Sequence, residues 1–421
     1  MHRGPRHEQR PAARRRSHRS AQHGGYPMSE SAKLDVMLVD PSLFTPPYDA
    51  ALTQGLVANG IAPMWMTRPT RRADRQELPL PLTDPFFYRR TDEASWIPDK
   101  LKPVAKGIAH FAGLVKLLAK VRRHKPDVVH FQWIVVPPLD VIAMALIRRW
   151  CPLVLTVHDT VPYNGQKMSW LQRFGHDTPM KCAHQLIVHT RSGRQALLDR
   201  GVPEHKITVI PHGPLQLSVP APPARATRDP RWTVLLFGEI KPYKGLDLLI
   251  EAVGSLPVEV RHELRVIVAG RPRMDMAPLV ERIAELGLQE QFDIRPRRLS
   301  EEEMAAVFAE ADSFVFPYRQ IDASGVYFLV KGLGKWLIAS RVGIFAEDMH
   351  EGVDGALIAS EDIAELAREL QDGITRRPQR APVPVADSWT AIGRSTRQLY
   401  LQAIAEHRGG QRVGDERSAD A

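Results

Sequence analysis

From Leu34 onward, short apolar runs alternate with stretches whose apolar positions recur every three or four residues. The runs LDVMLVD (34–40), IAPMWMT (61–67), DVVHFQW (127–133), PLVLTVH (152–158), QLIVHT (185–190) and ITVI (207–210) read as buried strands. Helical patterns fall between them, near 49–59, 103–124, 138–149, 169–182 and 191–200. The 103–124 segment sets Val104, Ile108, Phe111, Val115, Leu118 and Val121 on one face, which is expected to pack on the sheet. Seven lysines and arginines between Lys102 and Lys125 are left to a polar face. Residues 68–100, rich in Pro, Arg and Asp, are too long for an ordinary connection and read as a functional loop.

A proline-rich break, PLQLSVPAPPARATRDPR (214–231), reads as an interdomain linker. Alternation then resumes. Strands are expected at 231–238, 264–270, 291–295, 313–318 and 336–340, and helices near 245–255, 278–287, 300–310, from 324, 362–373 and 388–405. Such alternation predicts an α/β protein with parallel sheets and crossover helices on both faces. Two halves joined by a linker make two doubly wound, Rossmann-like domains facing a cleft, with ligands at the carboxyl ends of the strands. The expected divisions are a disordered basic tail over 1–33, a first domain over 34–213, the linker over 214–231 and a second domain over 232–386. A closing helix over 387–407 and a disordered tail over 408–421 complete the chain.

Length changes this picture little, since 421 residues is too long for one ordinary domain. The longest strictly apolar run, Val141–Ile147, is far shorter than the ~20 residues a membrane-spanning helix needs. Two cysteines, Cys151 and Cys182, make neither a disulfide framework nor a structural zinc site. The arginine-bearing first thirty residues lack the apolar core of a secretory signal. A reduced, cytoplasmic setting is expected. The formal charge of +9 is unevenly spread: residues 1–27 hold seven arginines and one acid, Glu8, a balance of +6. That tail reads as a non-native extension ahead of MSESAKLDVMLVD at Met28 rather than as a nucleic-acid arm, so no nucleic-acid partner is expected. The basic helix at 103–124 suits contact with an anionic membrane surface, which would place the protein peripherally on the inner face of the cell membrane.

Three stretches carry candidate chemistry. In LLFGEIKPYKGLDLLIEAV (235–253), Lys241 and Lys244 lie where a strand hands over to a helix, with backbone N–H groups nearby. Point charges beside a helix N-terminus make a natural diphosphate cradle, although a solvated basic turn has the same spacing. In FPYRQIDASGVYFLVKGLG (316–334), Ala323, Ser324 and Gly325 open a helix, where small residues let the backbone approach an anion or simply cap the helix. In TVHDTVPYNG (156–165), His158 and Asp159 end a strand at the ligand-bearing edge. A lone strand-end histidine is as readily a structural hydrogen-bonder, and so is His212 in VIPHG (209–213).

In this order, KPDVVHFQW, TVHD, VIPHG, FGEIKPYKGLDLLIEA, the SGV helix and the closing DSWTAIGRSTRQLY resemble the landmarks of GT-B glycosyltransferases of family 4. The resemblance extends roughly from Leu34 to His407. It implies a nucleotide diphosphate-sugar held by the second domain and an acceptor held by the first. By resemblance Lys244, with Lys241, holds the diphosphate. Ser324, Gly325 and Val326 match the amide-rich helix start beneath the phosphates, and His158 matches the histidine that contacts the donor sugar. Arg297 and Asp322 are candidates for the base or sugar, and Tyr48 and Asp49 for the acceptor side.

Glu239 stands where many members have arginine, and Ile321 and Leu329 stand where many have paired glutamates, with Asp322 one residue away. The chain has no Asp-x-Asp pair and no Cys/His cluster, so metal-independent, charge-stabilised and retaining hexosyl transfer is expected. Inversion would need a general base, for which Asp49 or Asp159 is available. The expected function is transfer of a hexose to a glycan or lipid-linked glycan in cell-surface polysaccharide biosynthesis. No resident cofactor is expected; the nucleotide-sugar, of UDP or GDP type, is a co-substrate. The alternatives are a nucleotide-sugar 2-epimerase of the same fold and a non-catalytic sugar-nucleotide-binding protein.

Overall fold

The structure, a computed structural model, describes residues 33–71, 77–160, 178–217, 219, 229–380 and 386–419. The basic tail, most of the linker, and VPYNG of the TVHD stretch therefore lie outside the described residues.

The first half is a seven-stranded, wholly parallel sheet. Its strands are β1 (Leu34–Asp40), β2 (Ile61–Thr67), β3 (Thr83–Pro85), β4 (Val128–Phe131), β5 (Leu153–Val157), β6 (Gln185–Val188) and β7 (Ile207–Val209). They lie in the order β3-β2-β1-β4-β5-β6-β7. The crossovers are α1 (Pro46–Ala58), α2 (Lys102–His124), α3 (Pro137–Ile147), α4 (Thr178–Cys182) and α5 (Arg191–Asp199). The second half repeats the plan with six parallel strands. These are β8 (Trp232–Phe237), β9 (Leu264–Ala269), β10 (Phe292–Arg295), β11 (Ser313–Phe316), β12 (Trp336–Ser340) and β13 (Gly355–Ile358), in the order β10-β9-β8-β11-β12-β13. Its helices are α6 (Leu246–Ser255), α7 (Val258–Arg261), α8 (Ala277–Glu285), α9 (Glu301–Glu310), α10 (Gly325–Lys331), α11 (Gly343–Asp348) and α12 (Ile363–Arg376).

Both sheets reverse strand order beside their first strand, between β1 and β4 and between β8 and β11, and such switch points open the crevices where α/β sheets bind ligands. The sheets are buried on both faces, which explains continuous apolar runs such as WTVLLF in β8. A last helix, α13 (Ala386–Ala419), returns to the first half. It packs on α1, where Asn59 Nδ2 donates to Thr390 O at 2.9 Å, and its Tyr400 hydroxyl meets His130 Nδ1 at 2.7 Å. Its backbone runs well past the expected end near His407, so the tail over 408–421 is helical through Ala419.

Two expectations need correction. The 68–100 segment is not wholly loop, because β3 pairs in parallel with β2, Trp65 opposite Thr83. More consequential is α2. The face it buries is His110, Gly113, Leu114, Leu117 and Val121, while Val104, Ile108, Phe111 and Val115 are exposed. This helix has two apolar stripes, and the one bearing Gly113 wins the core. A Cβ on Gly113 would come within 2.3 Å of the Phe87 ring, so only glycine admits that buried aromatic against the helix backbone.

Under the β1 edge lies a buried carboxyl pair, Asp40 and Asp49. Asp40 accepts from Phe44 N at 2.7 Å and Ser42 N at 3.2 Å, yet burial outweighs these bonds and pushes its carboxyl up to about 6. Burial, then repulsion from Asp40, holds Asp49 well above the carboxylate range. Carboxyls raised on folding contribute stability that is full below about pH 4 and is lost as pH rises through about 6. Asp49→Asn should therefore raise the melting temperature by a few degrees at pH 7.5 and by much less at pH 4.5. Paired thermal melts check this, and an equal or opposite effect at the two pH values would contradict it.

Candidate functional site

The carboxyl ends of the two sheets meet. Following β5, Thr160 donates through its N–H and Oγ1 to Asp322 Oδ2 of the second half, at 2.7 and 2.6 Å. Following β6, the first turn of α5 donates from Arg191 N, and from Ser192 N at 2.7 Å, to the Glu347 carboxylate of α11. A carboxylate on helix-terminal N–H groups is favourable in charge and geometry. His212, after β7, stacks flat on Phe328 of α10, ring centroids 3.8 Å apart. Between the halves lies a cavity of about 1470 Å³, walled by Ser42, Phe44 and Arg71 on one side and Gly238, Arg271 and Arg298 on the other.

On the second half, Gly238 follows β8 and a single turn, Pro242–Lys244, leads into α6. The turn into the helix is made by Gly245 at φ 68°, a left-handed conformation that glycine adopts without strain. Lys244 is 5% exposed, and its Nζ donates to Phe237 O at 3.1 Å and lies 5.4 Å from the centre of the Tyr318 ring. Burial, then repulsion from Lys241, pulls this ammonium down to about 7. Lys241 pairs with Glu239 at 3.2 Å, and Glu239 also holds Arg273. Beside them Ser324 caps α10, accepting from Tyr327 N. Val326 lies against Gly238, where a Cβ would be 3.0 Å from Val326 Cγ2, whereas a Cβ on Gly325 would meet no atom within 4 Å. The expected phosphate residues thus converge, with open space over Gly325.

On the first half, His158 stacks on Trp133, centroids 4.6 Å apart and planes 9° from parallel. Its Nδ1 meets His189 Nε2 at 3.2 Å, its Nε2 meets Gln132 Oε1 at 3.2 Å, and His189 Nδ1 meets Ile210 O at 2.9 Å. Burial, followed by the neighbouring imidazoles, drives His158 and His212 well below the ordinary histidine range; burial takes His189 to about 4. These rings are neutral at pH 7. With one proton per ring, the run is satisfied when the Gln132 amide turns to donate to His158 Nε2, His158 Nδ1–H donates to His189, and His189 Nδ1–H donates to Ile210 O. Tyr48 packs against His158, His189 and His212, and it is a buried wall of this cluster rather than an open surface.

Asp159 follows His158 at the junction of the halves. Burial, then repulsion from Asp322, raises its carboxyl to about 6, with Lys241 acting the other way. Three expected residues are otherwise engaged. Asp49 is fully buried on the inner face of α1. Arg297 pairs with Glu303, at 2.7 Å, and its neighbour Arg298 walls the cavity together with Glu303. Asp322 binds Thr160 across the junction. Sequence reasoning missed Trp133, His189 and Glu347. The first two sit at or near the ends of runs read as strands, a signal that a check of every strand end would have caught. Glu347 lies on a short helix that no pattern announced.

Residues 50–213 match the model of Glycosyltransferase Family 4, and residues 231–375 match that of Glycosyl transferases group 1. The chain belongs to this family of glycosyltransferases. The D-inositol 3-phosphate glycosyltransferase of Mycobacterium sp. (strain KMS) is 28% identical over 293 residues, 64% of this chain and 65% of that protein. The protein of the same name from Frankia alni is 26% identical over 295 residues, 63% of this chain and 72% of that one. The chain thus spans 65% of the length of the Mycobacterium relative. The fold is shared with Anabaena Alr3699/HepE in complex with UDP, at TM-score 0.58 and 16% identity, over 92% of this chain and all of that one. It is also shared with the catalytic domain of Arabidopsis thaliana starch synthase IV bound to ADP and acarbose, at TM-score 0.64 and 11% identity, over 89% of this chain and all of that one.

Proposed function

We propose that the protein is a hexosyltransferase that moves a hexose from a nucleotide diphosphate-sugar to a glycan or lipid-linked glycan, with retention and without a resident metal ion. The observation that carries this is Lys244, a buried ammonium with one carbonyl partner beside the open space over Gly325. A buried cation is costly unless an anion pairs with it. A diphosphate seated there would take its charge from Lys244 and Lys241 and hydrogen bonds from the amides after Ser324. His158, Asp159 and the imidazoles behind them would face the sugar from the other half. As the bond from the anomeric carbon to the diphosphate breaks, the lysines would stabilise the departing charge. The acceptor hydroxyl would form the new glycosidic bond on the same face and pass its proton to the leaving phosphate. The UDP named in the HepE structure and the inositol phosphate in the name of the Mycobacterium relative support a nucleotide donor and a polar acceptor. The reaction would serve cell-surface polysaccharide biosynthesis, at the cytoplasmic face of a membrane.

A thermal-shift screen of UDP, GDP, ADP and their sugars tests the donor. At a hundredfold excess over Kd, a nucleotide should add about 2.7 kcal/mol of stability. Product analysis is then run with the stabilising sugar nucleotide. Conversion of the donor without an acceptor would point to an epimerase, and binding without turnover over a panel of acceptors would point to a non-catalytic protein.

A further inference from the structure

Among the described residues, the outward stripe of α2 gathers five exposed large hydrophobic side chains that the transfer reading leaves unused. Leu101, Val104, Ile108, Phe111 and Val115 succeed one another at spacings of three and four and are all exposed, Ile108 at 65%. At 100° per residue the centre of this stripe lies about 140° from the buried face of His110, Leu117 and Val121, so it points away from the sheet. Trp96, 76% exposed, lies just before the helix. The stripe covers about 21 Å of helix.

Charge identifies the occupant. The helix carries six lysines and arginines and no aspartate or glutamate. Lys116 and Arg123 fall within about a quarter turn of the stripe's centre. The three-four spacing would suit a coiled-coil seam, but even with Lys102 paired to Asp99 and Lys120 to Asp84, a second copy of this chain would set the other four positive charges against four. An anionic surface answers both the apolar stripe and the basic flank.

We propose that α2, with Leu101 and Trp96, is an in-plane docking surface for an anionic phospholipid bilayer. Pro103, Lys106 and Gly107 of the same helix line the cavity between the halves. Docking through the stripe therefore leaves that cavity on the far side of the helix, one helix diameter, ~10 Å, from the headgroups. The purpose given to the contact, access to a lipid-linked acceptor, rests on the transferase reading; the contact itself does not. No helix among the described residues is long and apolar enough to cross a membrane, so attachment through α2 is reversible and salt-sensitive.

The test is flotation of the full chain with phosphatidylcholine vesicles, with and without one-third phosphatidylglycerol, alongside light scattering for oligomeric state. The wild type should float with the anionic vesicles alone and release in high salt. Ile108→Glu with Phe111→Glu should weaken flotation at least roughly tenfold, and Lys116→Glu severalfold. These positions are exposed, so melting temperature and nucleotide binding should not change. Failure of the wild type to float, equal flotation on neutral vesicles, or a dimer that Ile108→Glu with Phe111→Glu turns into monomer would each overturn the proposal. A protein that fails to float yet binds and turns over a sugar nucleotide would refute the docking surface alone. One that floats but binds no nucleotide would refute the transferase reading alone.

Discussion

Lys244→Ala should keep the fold and lose roughly a hundredfold to a thousandfold in transfer rate, the usual cost of removing a charge partner from a developing anion. The fold should survive because this lysine works against it. Its ammonium, pulled to about 7 by burial and by Lys241, lies far below the 10.5 of an exposed lysine. A cation whose pKa falls on folding costs stability as pH drops from about 10.5 to about 7, and that cost persists below. Removing it should leave the ligand-free melting temperature unchanged or higher. A bound diphosphate reverses the balance by favouring the charged form, so nucleotide binding at pH 8 should take up close to one proton. Affinity should then fall as pH rises above about 7. Calorimetric titration with UDP or GDP in buffers of different ionisation enthalpy measures this uptake, which Lys244→Ala should abolish. Near-wild-type turnover in the variant, or binding without proton uptake, would remove Lys244 from the phosphate site.

The same residue shows why much of this site was legible in the sequence. Parallel strands buried on both faces read as unbroken apolar runs, and the residues just after each run stand at the ligand-bearing edge. Lys241, Lys244, His158 and Ser324 were singled out by that rule, and each follows a strand in the structure. The rule fails where packing chooses between equals. The sequence of α2 offers two apolar stripes, and nothing in their spacing says that Gly113 will admit Phe87 and leave Phe111 outside. It fails again for side chains that serve the junction of the halves. Asp322 and Glu347 are ordinary surface acids to any local pattern, and they become specific only where Thr160 and the first turn of α5 come opposite them. β3 was missed because its Asp84 and Pro85 are residue types depleted in strands, and β13 because it opens on Gly355 and Ala356.

Gly325→Val and His158→Ala should separate the two halves of the reaction. Gly325 opens α10 behind a serine cap that the change leaves in place, and a Cβ there meets no protein atom within 4 Å. Its φ is not in the left-handed region, so a branched side chain is accommodated with little cost to the helix start. The melting temperature without ligand should shift by no more than a few degrees. The added methyls would fill the space beside Lys244 where a diphosphate is proposed to sit, and nucleotide affinity should fall at least about tenfold, 1.4 kcal/mol. His158 lies on the other half, stacked on Trp133, hydrogen-bonded to His189 and neutral at pH 7. Its ring, whose nitrogens are engaged by His189 and Gln132, can shape the sugar pocket by contact, but it cannot supply the charge that holds phosphates. His158→Ala should therefore bind UDP or GDP as the wild type does and lose roughly a hundredfold in transfer. Its main structural effect, the loss of one partner for His189 and Gln132, should appear as a lower melting temperature rather than as weaker nucleotide binding. Titration of both variants with the free nucleotide, set beside turnover of the sugar nucleotide, decides the matter. Normal nucleotide binding by Gly325→Val together with lost binding by His158→Ala would mean that the phosphates sit on the first half, and the assignment of donor and acceptor sides would have to be exchanged.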